Sequence, residues 1–481
     1  MTAPSAPVAA AAPPMGHREI LEALTGILAG FFAAMLSINI VVTALPVIVH
    51  HLGGDQIQYS WVLTGTLLAN AATTPIWGKL ADLVDKKRLI QLTLLIFIAG
   101  SVVAGAAPDM NWLIAGRVIQ GIGVGGLGAL SMAIMGAIIA PRERGRYAGY
   151  MGAVMATATA AGPLLGGLIV DTIGWRWTFW VGVPLAVLAM VVIAKTLRIV
   201  HVGRPVHIDW WGATVLALAT CLLLVWVSFA GNPVYFAWLS WQSAAFLGSV
   251  VALAVLFLWL ESRSVEPVMN LRIFRNRTTV LAIVASVSVA VLMFSLPAYL
   301  GLYFQNGRGL EPTQSGLLTL PLILGNLIGS VTTGQLITRY GRWKPYLVAG
   351  SVVAVAATAW LGLVDATTSY WLIGTKLLLV GLGLGMVIQN VVLAVQNTVT
   401  VMEIGASSAA VTFFRTVGGA IGNSVLGSLM AIQLLGAGTP GQVADTYANG
   451  SGALFALAAV IALPAVFAVS AIREVPLRRT V

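Results

Sequence analysis

Three charged side chains stand inside long apolar runs of this chain: Arg117, Lys376 and Arg415. A charge buried in apolar surroundings is costly, so it pairs, reaches water or faces an internal polar space. Arg117 and Lys376 also correspond, because WLIAGR (112–117) and WLIGTK (371–376) set each about two turns in from one end of its run. The competing reading is structural: Arg117 braces neighbouring helices through their carbonyls, while Lys376 and Arg415 stretch to the head-group region. Amides form a second set. Gln389 and Gln396 are seven residues apart, as are Asn390 and Asn397, so the pairs stack on adjacent lines of one helix face. That face should look into a bundle or a water-filled space, with interhelical hydrogen bonding as the rival use. Asn39, Asn70, Gln120 and Asn326 are weaker candidates of the same kind. No G-x-S-x-G, H-E-x-x-H or paired carboxylate falls within the apolar runs, so enzymatic chemistry is not expected. The single Cys221 rules out an intrachain disulfide and a Cys-based metal site, and neither metal nor cofactor is expected.

The elements that must position these residues are membrane spans. A bilayer core of about 30 Å takes about 20 apolar residues in a helix, with every backbone polar group satisfied inside the segment. Such segments are read at 20–45, 59–78, 89–107, 111–139, 146–170, 177–197, 210–230, 242–260, 278–304, 314–337, 345–363, 370–398, 407–434 and 451–472. Of the 26 Lys and Arg, only Arg176 and Arg308 fall in loops on one side, and three lie deep within spans, away from either end. The remainder mark the cytoplasmic side, with both termini there. Apolar residues make up 58% of the chain and charged residues 9%, outside the range of a soluble domain. The net charge of +10 sits in short alternating loops that meet anionic lipid, so a nucleic-acid partner is not expected.

The chain also repeats itself. GKLADLVDKKR (78–88) returns as GQLITRYGRWK (334–344), and the WLI segments return at nearly the same offset. Two homologous six-helix bundles follow, with two further helices between them. The domains read as a disordered tail at 1–15, a first bundle at 16–200, an inserted helix pair at 201–265 and a second bundle at 266–481. The fold class is all-α, polytopic and pseudo-symmetric, and the chain is expected to be a monomer.

Loop 78–88 holds Gly78, Asp82, Lys87 and Arg88. Gly78 allows a tight turn at the helix end, and Asp82 can accept from helix-end N–H groups or a nearby cation, which would latch two halves together. The plain alternative is that the loop only anchors topology. Thr338 takes the place of Asp82 in the second copy, so a latch there should be weaker. Gly149, Gly162, Pro163, Gly166 and Gly167 suit close packing and a kink, either as a rocking surface or as ordinary small-residue packing.

In these residues the chain resembles the major facilitator superfamily, in its fourteen-helix drug:proton antiporter branch. Gly78, Leu80, Asp82, Lys87 and Arg88 match its loop motif, with Asp85 where the family usually has Gly. Arg117, Gln120, Gly121 and Gly123 follow the second motif, and the glycines and Pro163 of the fifth span look like the antiporter motif. WRWTFWVGVP (175–184), IDWWG (208–212), EPVMNLRIFRNR (266–277) and FFRTVGGAIG (413–422) extend the resemblance. It implies a secondary transporter that exports small amphipathic molecules, drugs or metabolites, by alternating access, with protons as the exchanged ion. The branch commonly has an Asp in the first span, where LSINIVVTALP (36–46) has Ser37, and none of the 16 Asp and Glu lies near the middle of any span. An exporter or facilitator for an endogenous lipid or metabolite, without that proton site, is therefore the alternative. With Arg117 and Lys376 facing a cavity, its interior would be positive and suit neutral or anionic cargo.

Overall fold

The computed structural model describes residues 17–54, 56–197, 209–231, 236–264, 266–400, 403–434 and 439–477. The 1–15 tail and the cytoplasmic cations Arg198, Arg204, Arg478 and Arg479 lie outside the described residues. Fourteen helices of fifteen residues or more are described: α1 His17–His51, α2 Gln56–Leu83, α3 Lys86–Gly105, α4 Met110–Ile138, α5 Pro141–Thr172, α6 Gly182–Thr196, α7 Trp210–Phe229, α8 Trp241–Arg263, α9 Arg277–Leu302, α10 Pro312–Tyr340, α11 Lys344–Leu361, α12 Tyr370–Gln396, α13 Ile404–Leu434 and α14 Pro440–Ala471.

Their ends are set locally. Asp85 accepts from the backbone N–H of Lys87 and Arg88 and caps α3, which gives the acid at the family's glycine position a physical role. Asp109 caps α4 in the same way, and Thr439 with Gln442 forms a reciprocal box at α14. Gly341, at φ 71°, closes α10 in the left-handed region.

Twelve of the helical segments are long and apolar enough to cross a membrane. The other two are α2 and α5. Their polarity has a cause, since α2 ends in KLADL and α5 begins PRERGR, and both are Gly/Thr-rich helices packed between neighbours. Helix α2 lies against α4 and α13, and α5 against α1 and α10.

Packing gathers α1–α6 into one bundle and α9–α14 into the other. Helices α7 and α8 are central in sequence but flanking in space: they pair with each other, and α7 rests on α2 and α13. The pair is pinned by Ser424 Oγ donating to the Val227 carbonyl at 2.6 Å and by Trp238 Nε1 donating to Ser428 Oγ at 2.7 Å. The outer face of α8, with Val251, Val255, Leu258 and Trp259, is exposed as a lipid-facing helix requires.

One large apolar core runs through both bundles. The first bundle has a separate core at the end away from the basic loops, formed by Val41, Leu45, Ile48, Val62, Ala104, Met110, Leu113, Trp175 and Phe179. The bundles therefore merge toward the basic end and keep separate interiors at the other.

Candidate functional site

At the basic end, Asp82 lies just past the apolar part of α2 and reaches across to the start of α13. Its Oδ1 accepts from Gly405 N–H at 3.0 Å and its Oδ2 from Ala406 N–H at 2.8 Å. These are orphan donors of a helix N-terminus, where a carboxylate is well placed. Gly78 makes the reach possible, because a Cβ there would collide with the Ala409 methyl and lie 3.0 Å from the Gly405 carbonyl. Burial pushes the Asp82 carboxyl up to about 7, outweighing the Ala406 and Gly405 N–H groups and the cations Lys86 and Lys79, which pull it down.

The second copy repeats the arrangement with weaker chemistry. Thr338 Oγ1, near the end of α10, accepts from Arg146 N–H in the first turns of α5 at 3.0 Å. A Cβ on Gly334 would strike the Gly145 carbonyl, and one on Gly145 would lie 2.9 Å from the Gly334 carbonyl. The four helices α2, α13, α5 and α10 thus meet backbone to backbone at two related crossings. The loop cations act mostly on helix ends. Lys87 Nζ donates to the Ala194 carbonyl at 2.7 Å, closing α6, while Arg88 is exposed.

Other contacts between the bundles lie in the same half. Gln396 Nε2 donates to Ser408 Oγ at 2.9 Å and reaches the Met132 carbonyl at 3.4 Å. Ile404 fills the notch at Gly136, and Gly149 lies so close to α10 that a Cβ would be 2.9 Å from the Ser330 carbonyl. Farther along α4 a Cβ on Gly128 would meet nothing within 4 Å, so this face of α4 has open space there, which we take as the start of a cleft.

The charged candidates are placed differently from one another. Arg117 is 1% exposed and inside the first bundle; its Nη1 donates to Gln120 Oε1 at 2.6 Å and its Nε reaches the Val62 carbonyl at 3.5 Å. Gln120 Nε2 in turn donates to Ser37 Oγ at 3.1 Å and Ser101 Oγ at 2.9 Å. The network ties α1, α2, α3 and α4 together, which is the bracing role, and it removes Arg117 from the charge of the cleft. Lys376 is 2% exposed, with Nζ 5.4 Å from the centre of the Trp360 ring. Arg415 does not stretch to the head groups as the sequence allowed. Its Nη1 donates to the Ile388 carbonyl at 3.3 Å, eleven positions into α13, because that carbonyl lies directly across the α12–α13 contact.

The amide ladder divides. Asn397 Nδ2 holds the Val475 and Pro476 carbonyls and Asn390 Nδ2 returns to the Met386 carbonyl, while Gln389 lies against Gly152 of α5 with its Oε1 buried and unpartnered. Asn39 donates to the Met35 carbonyl at 2.7 Å. Of the antiporter-type glycines, Gly149 faces the other bundle, Gly162 packs on Asn39 of its own bundle, Gly166 is buried and Gly167 faces open space. The Pro163 side chain lies outside the described residues.

Sequence reasoning missed the receiving side of the latch, since backbone N–H groups carry no residue signature. It also missed Arg144, read as a loop cation. Its side chain is 2% exposed and donates to the Ile139 carbonyl at 2.8 Å and the Gly136 carbonyl, closing the end of α4. A further tie joins Lys79 to Glu266 at 3.2 Å, on a loop whose Val268 and Met269 N–H groups are held by Glu261 Oε1. Among the described residues, no group of three or more His, Cys, Asp and Glu could hold a metal ion.

Comparison with known proteins gives concordant results. A family model described as Major Facilitator Superfamily matches residues 27–423. An uncharacterized MFS-type transporter of Mycobacterium tuberculosis is 34% identical over 409 residues, 84% of this chain and 58% of that protein. The chain therefore spans less than two thirds of that relative's length. The multidrug transporter protein MdtP of Bacillus subtilis is 31% identical over 407 residues, 85% of this chain and 74% of MdtP. Among solved structures, the human organic anion transporter MFSD10 (TETRAN) aligns with a TM-score of 0.67 at 16% identity, over 95% of this chain and all of that one, a likeness of fold.

Proposed function

The chain belongs to the major facilitator superfamily, and we propose that it is a secondary transporter that exports small amphipathic molecules across the cytoplasmic membrane by alternating access. In this reading α2 and α5 count as spans, the chain crosses fourteen times, and the basic end and both termini are cytoplasmic. The conformation is then closed to the cytoplasm and parted toward the outside. The observation that carries the reading is the Asp82 clamp on the start of α13, a bond between bundles that must break for the basic end to open. Similarity to a multidrug transporter supports the export direction and the substrate class.

Antiport against protons is the form we propose for the coupling. A specific observation favours the second reading, uncoupled export of an endogenous lipid or metabolite. Ser37, where related antiporters carry an acid, is 1% exposed and engaged by Gln120, so this position offers no titratable group. Purified protein in liposomes, loaded with a panel of cationic, neutral and anionic amphipaths and given an imposed pH gradient, tests both. Gradient-driven movement supports antiport. Movement that ignores the gradient supports the facilitator, and no movement of any compound defeats the transport proposal.

A further inference from the structure

Ile404, Ser408, Val411 and Arg415 lie on one stripe of α13 at spacings of four, three and four residues. The first two meet α4: Ile404 seats in the notch at Gly136, and Ser408 shares Gln396 Nε2 with the Met132 carbonyl. One turn farther along α4, Gly128 faces open space. The stripe therefore leaves the contact with α4 between Ser408 and Arg415, and from Gly418 onward it packs on Val287, Val291 and Phe294 of α9, so Arg415 is the charged residue at the level where the two bundles part. Its guanidinium carries five N–H donors, and the one bond it makes among the described residues is to the Ile388 carbonyl. It is partly accessible, unlike Arg117, which is closed off and committed to Gln120. Every Asp and Glu of the sequence lies outside the middle of the spans, so no acid of the cleft walls is placed to neutralise it.

We infer that Arg415 is the substrate-reading residue of the cleft and takes an anionic group, a carboxylate or sulfonate, on an otherwise apolar molecule. The inference rests on the export reading and sharpens it to anionic amphipaths. A planar guanidinium in a place of low dielectric binds a carboxylate by paired hydrogen bonds, while a cationic amphipath would meet an uncompensated like charge.

Three fluorescent amphipaths on one ring scaffold, carrying a carboxylate, a methyl ester or a trimethylammonium group, test this. Binding is read as thermal stabilisation of purified protein, and transport is read in liposomes, for the unmodified chain, Arg415→Gln and Arg415→Lys. The carboxylate should stabilise the unmodified chain. Arg415→Gln should weaken that binding about 10- to 150-fold, the worth of a hydrogen bond to a charged group. The ester should be unchanged by Arg415→Gln, and Arg415→Lys should retain part of the carboxylate effect. Loss of ester and carboxylate together in Arg415→Gln would make Arg415 a brace for α12 and overturn the inference, as would no loss of either. Preference of the unmodified chain for the trimethylammonium compound would also overturn it. Selective carboxylate binding without transport of any of the three would support the anion site and defeat the export reading.

Discussion

Replacing Asp82 by Asn tests the latch most directly. The side chain keeps one carbonyl oxygen, which can still accept from Gly405 N–H, but it turns an NH2 toward Ala406 N–H, now held at 2.8 Å by Oδ2. Leaving one donor of a covered helix start without an acceptor costs about 1–3 kcal/mol. Well below pH 7, where the parent's Asp82 is also neutral and its hydroxyl oxygen can still accept, the ratio of closed to open basic ends should fall about 5- to 150-fold in the variant. The ionisation of Asp82 adds a second signature. Its carboxyl is raised to about 7 in the closed form and returns toward 3.8 once the bundles part and water reaches it. The closed form therefore binds the proton more tightly, so closure is fully supported below the ordinary value and weakens as pH rises through about 7. Asn cannot titrate, so the variant should show a flat response there. Spin labels at Arg88→Cys and Arg339→Cys, both exposed at the basic end of opposite bundles, report the opening in a Cys221→Ser background. Identical distance distributions for Asp82→Asn and its parent well below pH 7 would refute the latch, and closing of the parent as pH rises would refute the sign of the linkage. Thr338→Ala is the internal control. Arg146 N–H loses a neutral acceptor at a site that water can reach, for about 0.5–1 kcal/mol, so its shift should be the smaller.

Three further outcomes are expected. Gln120→Leu strips partners from Arg117, Ser37 and Ser101 at once and should lower stability by about 3 kcal/mol, read as an earlier thermal midpoint in detergent; an unchanged midpoint would remove the bracing role of that network. Ser37→Asp would set a carboxylate against Gln120 and Arg117 inside the first bundle, so it should fold and gain no export of a cationic dye, and new dye efflux would place position 37 in the cleft after all. In intact cells an impermeant maleimide should label Asn111→Cys and spare Arg88→Cys, both in the Cys221→Ser background; the reverse pattern would invert the orientation.

The helices and the two related bundles were legible because membrane spans leave a length signal and basic loops leave an alternating one. Asp82 was legible for a similar reason: an acid in a basic loop answers to something other than topology. Its partners were not, since Gly405 and Ala406 contribute only backbone N–H groups from more than 320 residues away. The amide ladder shows the limit of helical periodicity. Residues 389 and 390, one position apart, point about 100° from each other, so Gln389 meets α5 while Asn390 turns back on its own helix. The equivalence of Arg117 and Lys376 in the repeat says nothing of which way they turn. Direction is set by neighbours such as Gln120 and Trp360, and these belong to packing. The sequence lets Arg415 stretch to the head groups, because the carbonyl that holds it is on another helix and leaves no mark in its own segment.

The two crossings at Gly78–Gly405 and Gly145–Gly334 bring main chain against main chain. Surfaces of that kind have few interlocking side chains to unpick, so they can slide and separate with little change of rotamer on either side. On the transport reading, motion and selectivity are written in different alphabets: the seam in glycines, one acid and a few close side chains, the cleft in whatever side chains lie above it. On that reading, what is carried can change residue by residue while the seam is left as it was.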